Sequence, residues 1–218
     1  MPINNILIEF DHTLFNTSQI KYEWATLMEK NGVPMDVFWQ TYPQAHYDEA
    51  GRPSYNPKKH VEIVKDYLKA EPEEVVRQME EVKTRGRDFL FPDAEDFLNR
   101  MVSINAPLVL VLRGESEYQK EKAESAGIMD YFNKVHYSNK NRLEMVDELG
   151  LNPQDKIFWI SHDLADMTKV KEKYPFIVPV VKRRPDIRVG HYRQVNLLNF
   201  DNFKEIQDYL TVVHATSY

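Results

Sequence analysis

The stretch that decides the fold is Ile6-Leu7-Ile8-Glu9-Phe10-Asp11-His12-Thr13-Leu14-Phe15, which reads ILIEFDHTLF. A short apolar run passes directly into two carboxylates, Glu9 and Asp11, and Thr13 follows them at the same spacing. Open parallel sheets bind their ligands beyond the carboxyl ends of their strands. The pattern therefore indicates a phosphoryl-transfer type of site at the end of a first parallel strand.

Composition limits the class of protein. The chain has 218 residues, of which 42% are hydrophobic and 28% charged, which is typical of a globular protein with one core domain and at most a small insert. The net charge of -6 disfavours a general nucleic-acid binder. There is no cysteine, so disulfides and thiol chemistry are excluded and a reducing compartment fits.

Nothing at the N-terminus resembles a signal peptide, and the longest apolar runs are too short to span a bilayer. We therefore expect a cytoplasmic protein that has no membrane or nucleic-acid partner.

Two patterns divide the chain. Residues from about 16 to 88 carry helical periodicity, with Pro43 expected to interrupt the second helix and a loop expected from His46 to Pro57. After Pro92, apolar strands alternate with helices, and runs such as Leu108 to Leu112 are apolar throughout. Such strands indicate a parallel sheet that is covered on both faces. We predict a three-layer, Rossmann-like α/β sandwich formed by residues 1–15 and 89–218, with a helical cap at residues 16–88.

Five segments occur in an order that resembles the haloacid dehalogenase-like (HAD-like) hydrolases of the branch with a helical cap after the first strand. They are the opening stretch, then FPDAEDFL at 91–98, LVLVLRGESEYQKEKAESAGIMDYF at 108–132, HYSNKNRLEMVDELGL at 136–151 and IFWISHDLADM at 157–167. The resemblance covers nearly the whole chain. It implies the same α/β fold and a phosphoryl-transfer activity that depends on Mg²⁺.

The resemblance also implies roles for particular residues. Glu9 stands at the position of the nucleophile, Asp11 at that of the general acid and base, and Thr13 at that of the threonine that holds the loop. Lys140 is the best match to the family's lysine, which clamps phosphate, and Lys134 is a weaker one.

The remaining carried-over roles concern phosphate and metal. Arg113 and Gly114 join Thr13 and Lys140 as phosphate-binding candidates. Mg²⁺ would be held at a weakened site by Glu9, Asp11 and Asp163.

Three positions depart from the family's pattern. Glu9 is one methylene longer than the expected aspartate, and a misplacement of about 1 Å can cost a factor of about a hundred in rate. Leu112 stands where a hydroxyl is expected and cannot donate a hydrogen bond. His162 stands where a carboxylate is expected, and imidazole is a poor ligand for Mg²⁺.

These departures leave three hypotheses. The preferred one is a weakly active or inactive pseudo-phosphatase that binds a small phosphorylated molecule or a protein partner. The second is an active Mg²⁺-dependent phosphatase of small molecules, in which Glu9, Asp163 and Arg113 rebuild a workable site. The third is a receiver-like signalling domain, which the large helical insert disfavours.

Two other groups of residues invite attention. Aromatic residues of the cap, and the loop at 46–59, are candidates for a pocket that would decide specificity. The basic cluster Lys182-Arg183-Arg184 follows the last core strand and is expected either at the surface or at the rim of the site.

Overall fold

The sheet of the computed structural model, which describes residues 3–48, 51 and 55–216, contains six parallel strands. They are β1 (Asn5–Glu9), β2 (Leu108–Arg113), β3 (Lys134–Ser138), β4 (Ile157–Ser161), β5 (Ile177–Lys182) and β6 (Leu198–Phe200), in the spatial order β3-β2-β1-β4-β5-β6. This is the doubly wound order of Rossmann-like folds, not the 2-1-3-4-5 order of receiver domains. The Rossmann-like prediction is confirmed, and the receiver-like alternative is wrong.

The helices lie between and after these strands. They are α1 (Thr17–Lys30), α2 (Met35–His46), α3 (Pro57–Ile63), α4 (Pro72–Thr84), α5 (Ala94–Ser103), α6 (Ser116–Ser125), α7 (Arg142–Leu149), α8 (Leu164–Lys173), α9 (Val189–Arg193) and α10 (Phe203–Ala215), with short 3₁₀ turns at Lys65–Tyr67, Gly86–Phe89 and Met129–Tyr131. None of the helices in the described part of the chain combines the length and apolar character that a membrane crossing requires.

The strand β1 shows why the sheet has helices on both faces. Ile6 and Ile8 are fully buried in one apolar cluster, which also contains residues of α5 and α10. Leu7, between them, is fully buried in a second cluster with residues of α7 and α8. Since neighbouring side chains of a strand project to opposite faces, an unbroken apolar strand needs cover on both sides. The three-layer prediction is therefore confirmed.

Helices α1 to α4 fall between β1 and β2, where the sequence predicts a cap. Their interior joins the core cluster below: Trp24, Phe38 and Met79 belong to the same buried cluster as Phe15 and Phe89. The indole of Trp24 donates a hydrogen bond of 3.1 Å to the Met79 carbonyl, which ties α1 to α4. The helices thus share one buried cluster with the α/β core, while the exact domain boundaries stay a prediction.

The expectation that Pro43 interrupts the second helix is wrong. Pro43 lies inside α2, which continues to His46. Proline removes one hydrogen bond of the helix, but the buried face formed by Phe38, Tyr42 and Ala45 crosses this position. Burial of that face outweighs the single lost bond. Part of the predicted loop that follows, residues 49–50 and 52–54, lies outside the described residues.

Gly86 marks the return of the chain from α4 to the core. A Cβ atom at this position would come within 2.7 Å of the Ala126 backbone nitrogen and 2.2 Å of the Ser125 hydroxyl. Because the first of these neighbours is backbone, it cannot move aside cheaply. The close approach of this turn to the end of α6 therefore requires glycine.

We expect Gly86→Ala to lower the free energy of unfolding by about 1–3 kcal/mol, since overpacking forces the backbone to shift. Gly190→Ala is the matched control: no atom lies within 4 Å of its added Cβ, and alanine favours α9 by about 1 kcal/mol or less. Urea denaturation of both variants measures the difference. Equal stabilities of the two variants would contradict the close packing at Gly86.

Candidate functional site

A pocket of about 240 Å³ lies between the carboxyl edge of the sheet and the cap. It sits where the strand order reverses, between β1 and its neighbours, the usual ligand position in such sheets. Its lining includes Glu9, Asp11, His12, Lys21, Trp24, Tyr42, Tyr55, Arg113, Gly114, Tyr118, Gln119, Lys122, Arg142, His162 and Asp163. Core and cap therefore both contribute side chains.

Glu9 is bound to arginine, not left free. It ends β1, is 3% exposed, and both of its carboxylate oxygens accept hydrogen bonds from Arg142. The Nε of Arg142 donates to Oε1 and its Nη2 donates to Oε2, at 2.7 Å in the second case. This two-point geometry is the strongest form of arginine–carboxylate pairing.

The same guanidinium reaches two more carboxylates. The Nη1 atom of Arg142 donates to Asp163 at 2.9 Å and to Asp166 at 2.7 Å. Arg142 is only 2% exposed, so one cation lies buried among three carboxylates. The guanidinium of Arg142 therefore lies between the three carboxylates and forms an ion pair with each of them.

The N-termini of α7 and α8 position Arg142 and Asp163 beside Glu9. Arg142 is the first residue of α7, which begins there because Asn141 and Glu144 form a reciprocal capping box. Asp163 caps α8 and accepts a hydrogen bond of 3.0 Å from the Asp166 backbone nitrogen. Two helix N-termini that follow β3 and β4 thus converge on the end of β1.

Burial and pairing act in opposite directions on these groups. Burial by itself raises the pKa of Glu9, but the charge and hydrogen bonds of Arg142 outweigh burial and leave the pKa below its ordinary value of 4.5. For Arg142, burial lowers the pKa, whereas Glu9 and Asp163 raise it further, so that the net shift is upward. Both groups are charged in the folded protein.

Asp11 is held in a second network. Its carboxylate accepts hydrogen bonds from Lys122, from Thr17 and, at 3.0 Å, from the amide of Gln119. Burial raises its pKa, but the Lys122 charge and these hydrogen bonds prevail and hold the pKa far below its ordinary value. Asp11 is therefore an ionised carboxylate whose oxygens are already engaged.

The loop after β1 has unusual backbone geometry. His12 has φ of 57°, in the left-handed region that non-glycine residues seldom adopt. Its backbone nitrogen donates to Thr17 at 3.2 Å, and its ring lies 5.0 Å from the ring of His162. Burial lowers the pKa of His12 to about 3 and also lowers that of His162. These contacts hold the loop that carries Asp11.

The other residues predicted for the site fall in different places. Thr13 is fully buried, with its hydroxyl 3.4 Å from the Nδ1 of His162. Gly114 lines the pocket. Lys140 is half exposed and pairs with Glu148 at 2.8 Å, so the structure does not bring it together with Glu9 and Asp11.

Strand β2 presents arginine where a hydroxyl is expected. Leu112 is buried in the core cluster, whereas Val111 and Arg113, on the opposite face of the strand, line the pocket. The sequence analysis placed Leu112 at the site, but the residue of β2 that reaches the pocket is its neighbour, Arg113. The Nε atom of Arg113 is buried and has no hydrogen-bond partner within the described part of the chain.

Lys21 is a second cation that has no anionic partner among the described residues. It lies on α1 in the wall of the pocket, with its ammonium 4.7 Å from the centre of the Tyr42 ring. It forms no ion pair with the residues that the structure describes, and burial lowers its pKa. Together with Arg113, it gives the pocket two cationic side chains that form no ion pair with the described residues.

Stacked aromatic rings form the wall on the cap side. Tyr55 lies between Trp24 and Tyr42, with ring centres 5.0 Å away in each case. The hydroxyl of Tyr55 is 3.1 Å from the Nδ1 of His60, whose Nε2 is 2.9 Å from the Thr41 hydroxyl. Thr41 donates its own proton to a backbone carbonyl, so Nε2 carries the proton of His60 and Nδ1 accepts from Tyr55. Burial lowers the pKa of His60 to about 4, so its ring is neutral.

The residues do not fit the implied magnesium ion. Mg²⁺ requires oxygen ligands in octahedral geometry, but the oxygens of Glu9 and one each of Asp163 and Asp166 are taken by Arg142. Within the described ranges, no group of three or more His, Asp or Glu side chains is arranged to hold a metal ion. The guanidinium supplies the positive charge instead.

The sequence analysis missed four residues that define the site: Lys21, Gln119, Lys122 and Arg142. Gln119 and Lys122 are three apart on α6, so they lie on one helical face. That spacing is a signal, but it equally suits a solvent-facing pair. The one sequence signal for Arg142 is its position as a cation two residues after the predicted Lys140.

Comparison of folds identifies the architecture. A dehalogenase in an intermediate complex is 11% identical, with a TM-score of 0.70 over 95% of this chain and 97% of that one. A protein of Burkholderia xenovorans LB400 classed as a haloacid dehalogenase-like hydrolase is 13% identical, with a TM-score of 0.70 over 94% and 98%. Bacillus subtilis YfnB, classed as a HAD-hydrolase and bound to magnesium, is 14% identical, with a TM-score of 0.62 over 96% and 99%.

At these identities the similarity concerns the fold, and the fold is that of the HAD-like hydrolases. No family model matches the sequence, and no curated protein matches it.

We expect Arg142→Met to lower the free energy of unfolding by about 3–5 kcal/mol, because it leaves the buried carboxylate of Glu9 without a counter-charge. The double variant Glu9→Leu with Arg142→Met should recover a large part of this loss. Arg77→Met is the control: its ion pairs with Glu74 and Glu81 are exposed and contribute about 0–1 kcal/mol. Urea denaturation at pH 7 measures all four proteins. An equal cost at Arg77 and Arg142 would contradict the buried network.

We expect stability to fall as the pH is lowered from 6.5 to about 4, in part through His60. Its pKa is about 4 in the folded protein against 6.5 ordinarily. Between these values the unfolded chain binds more protons, so acid favours unfolding. His60→Gln should therefore lose less stability than the parent between pH 7.5 and pH 4.5 in urea denaturation. His191→Gln, at an exposed site, should follow the parent, and the same acid loss in His60→Gln as in the parent would contradict the assignment.

Proposed function

We propose that this protein is a HAD-fold protein that lacks efficient phosphoryl-transfer activity and binds a small anionic molecule, such as a phosphorylated metabolite, in the pocket under its cap. The observation that carries the proposal is the position of Arg142, whose guanidinium joins Glu9, Asp163 and Asp166. The fold similarity supports the architecture on which the proposal stands.

The pairing of Glu9 argues against attack on phosphorus. A carboxylate nucleophile must be able to aim an oxygen at the reacting atom, and a two-point ion pair with arginine stabilises the carboxylate and fixes its direction. Both oxygens of Glu9 accept hydrogen bonds from Arg142, in a site that is nearly closed to solvent. Exposure of Glu9 would require breaking this buried, two-point ion pair.

The pairing of Asp11 argues against acid–base catalysis. A general acid works best when its pKa lies near the working pH. The ammonium of Lys122 and the hydrogen bonds of Thr17 and Gln119 hold the pKa of Asp11 far below that range. A proton does not reside on Asp11 at neutral pH, so the residue is a poor donor to a leaving group.

The same pocket is suited to binding an anion. Lys21 and Arg113 project donors into it without an anionic partner among the described residues, and the Nε of Arg113 is buried without an acceptor. An anion would satisfy both groups and would offset the cost of burying them. The rings of Trp24, Tyr42 and Tyr55 supply the apolar wall for the rest of the ligand.

We expect no phosphate release from a panel of small phosphate esters, with or without Mg²⁺, because the nucleophile position is occupied by a paired carboxylate. The variant Glu9→Asp should also be inactive, since the shorter side chain leaves Arg142, Asp163 and Asp166 in place. A colorimetric phosphate assay measures this. Mg²⁺-dependent release by the parent that chelator and Asp11→Ala abolish would overturn the proposal and favour an active phosphatase.

We expect inorganic phosphate to bind the inactive protein, and either Lys21→Met or Arg113→Met to weaken that binding about tenfold, equivalent to roughly 1.4 kcal/mol. Lys30→Met is the matched control, because Lys30 lies exposed at the end of the same helix as Lys21. Isothermal titration calorimetry measures the affinities. Equal binding by all three variants would show that phosphate does not enter this pocket.

A further inference from the structure

A second cleft, of about 480 Å³, lies at the end of β5, outside the pocket described above. Lys182, the last residue of β5, lines it together with Phe91, Asp93, Pro185, Ile187 and Val189. Its volume lies within the range of about 300–1,000 Å³ that is usual for small-molecule sites. None of these residues takes part in the networks of Glu9 or Asp11.

Lys182 is a buried cation without a counter-ion. It is 3% exposed, and its ammonium lies 3.3 Å from the centre of the Phe91 ring and 5.5 Å from that of Phe203. Its ammonium forms no hydrogen bond or ion pair with any residue in the described part of the chain. Aromatic faces attract a cation but carry no net charge, so the ammonium remains uncompensated. Burial accordingly lowers the pKa of Lys182 to about 8, with Asp93 opposing the shift.

The charged neighbours of Lys182 are already engaged. Asp93 accepts hydrogen bonds from the backbone nitrogens of Phe203, at 2.6 Å, and Lys204, at 3.3 Å, so it serves the N-terminus of α10. Arg183 pairs with Asp201 at 2.8 Å.

Arg184 pairs with Asp186. Among the described residues of the cleft, one positive charge, that of Lys182, is therefore left without a negative partner.

The walls of the cleft are apolar. Five apolar residues line it: Phe91, Pro92, Pro185, Ile187 and Val189. Val189 is 45% exposed at the rim. A ligand that placed a hydrocarbon chain along these walls would remove apolar surface from water, which stabilises the complex.

We propose that this cleft binds a monocarboxylate with an apolar body, its carboxylate on the ammonium of Lys182 and its hydrocarbon chain along Phe91, Ile187 and Val189. One negative charge matches the single unpaired cation. A phosphate dianion would leave a second charge unpaired, because Arg183 and Arg184 already have partners. The inference is independent of the proposed function of the first pocket.

The test is isothermal titration calorimetry with acetate, butyrate, hexanoate and octanoate. We expect affinity to rise along the series, by roughly three- to fourfold for each methylene that is buried. Lys182→Met, which keeps the length and the packing of the side chain, should weaken octanoate binding at least tenfold. Lys58→Met removes an exposed lysine of the cap and should leave the affinity unchanged.

Two further variants locate the ligand. Val189→Glu places a negative charge at the rim of the cleft and should weaken octanoate binding. Val212→Glu is the control: this valine is also exposed but lies on α10, outside the cleft lining, and its replacement should leave the affinity unchanged. The proposal is overturned if octanoate does not bind, if Lys182→Met binds it as tightly as the parent, or if Arg113→Met rather than Lys182→Met removes binding, since the ligand would then lie under the cap. Binding of inorganic phosphate that Lys182→Met abolishes would also overturn it.

Discussion

The ion pair between Glu9 and Arg142 is the interaction on which the rest of the site depends. A carboxylate that is nearly closed to solvent at a strand end must be neutralised or given a counter-charge. The resemblance to the HAD-like hydrolases implies that a metal ion supplies this counter-charge. Here a guanidinium 133 positions along the chain takes it, and it gathers Asp163 and Asp166 as well.

On the function that we propose, an arginine in the place of a metal ion changes what the site can do. A metal ion can release a ligand oxygen and accept a substrate oxygen in its place. A buried guanidinium that is bound to three carboxylates has no comparable open position. The second carboxylate, Asp11, is likewise held by Lys122. In the function that we propose, the charges of Arg142 and Lys122 stabilise the fold, and Lys21 and Arg113, which form no ion pair with the described residues, are suited to binding.

The fold could be predicted well from the sequence, and particular elements show why. The unbroken apolar run in β2 requires cover on both faces, and the alternation of strands with helices after Pro92 requires a parallel sheet. Both signals are local periodicities. The continuation of α2 through Pro43 was missed because the burial of Phe38 and Tyr42 that stabilises it arises from packing against α1 and α3, which no local pattern records.

The sequence by itself determined the order of the elements and the placement of Glu9 and Asp11 at the end of the first strand, because these follow from hydrophobic period and spacing along the chain. Only the tertiary structure decided the partners of those carboxylates. Arg142 and Lys122 reach them across the fold, whereas the expected Lys140 lies half exposed against Glu148. The energy of an ion pair depends on distance and burial, and neither quantity exists until the helices have packed.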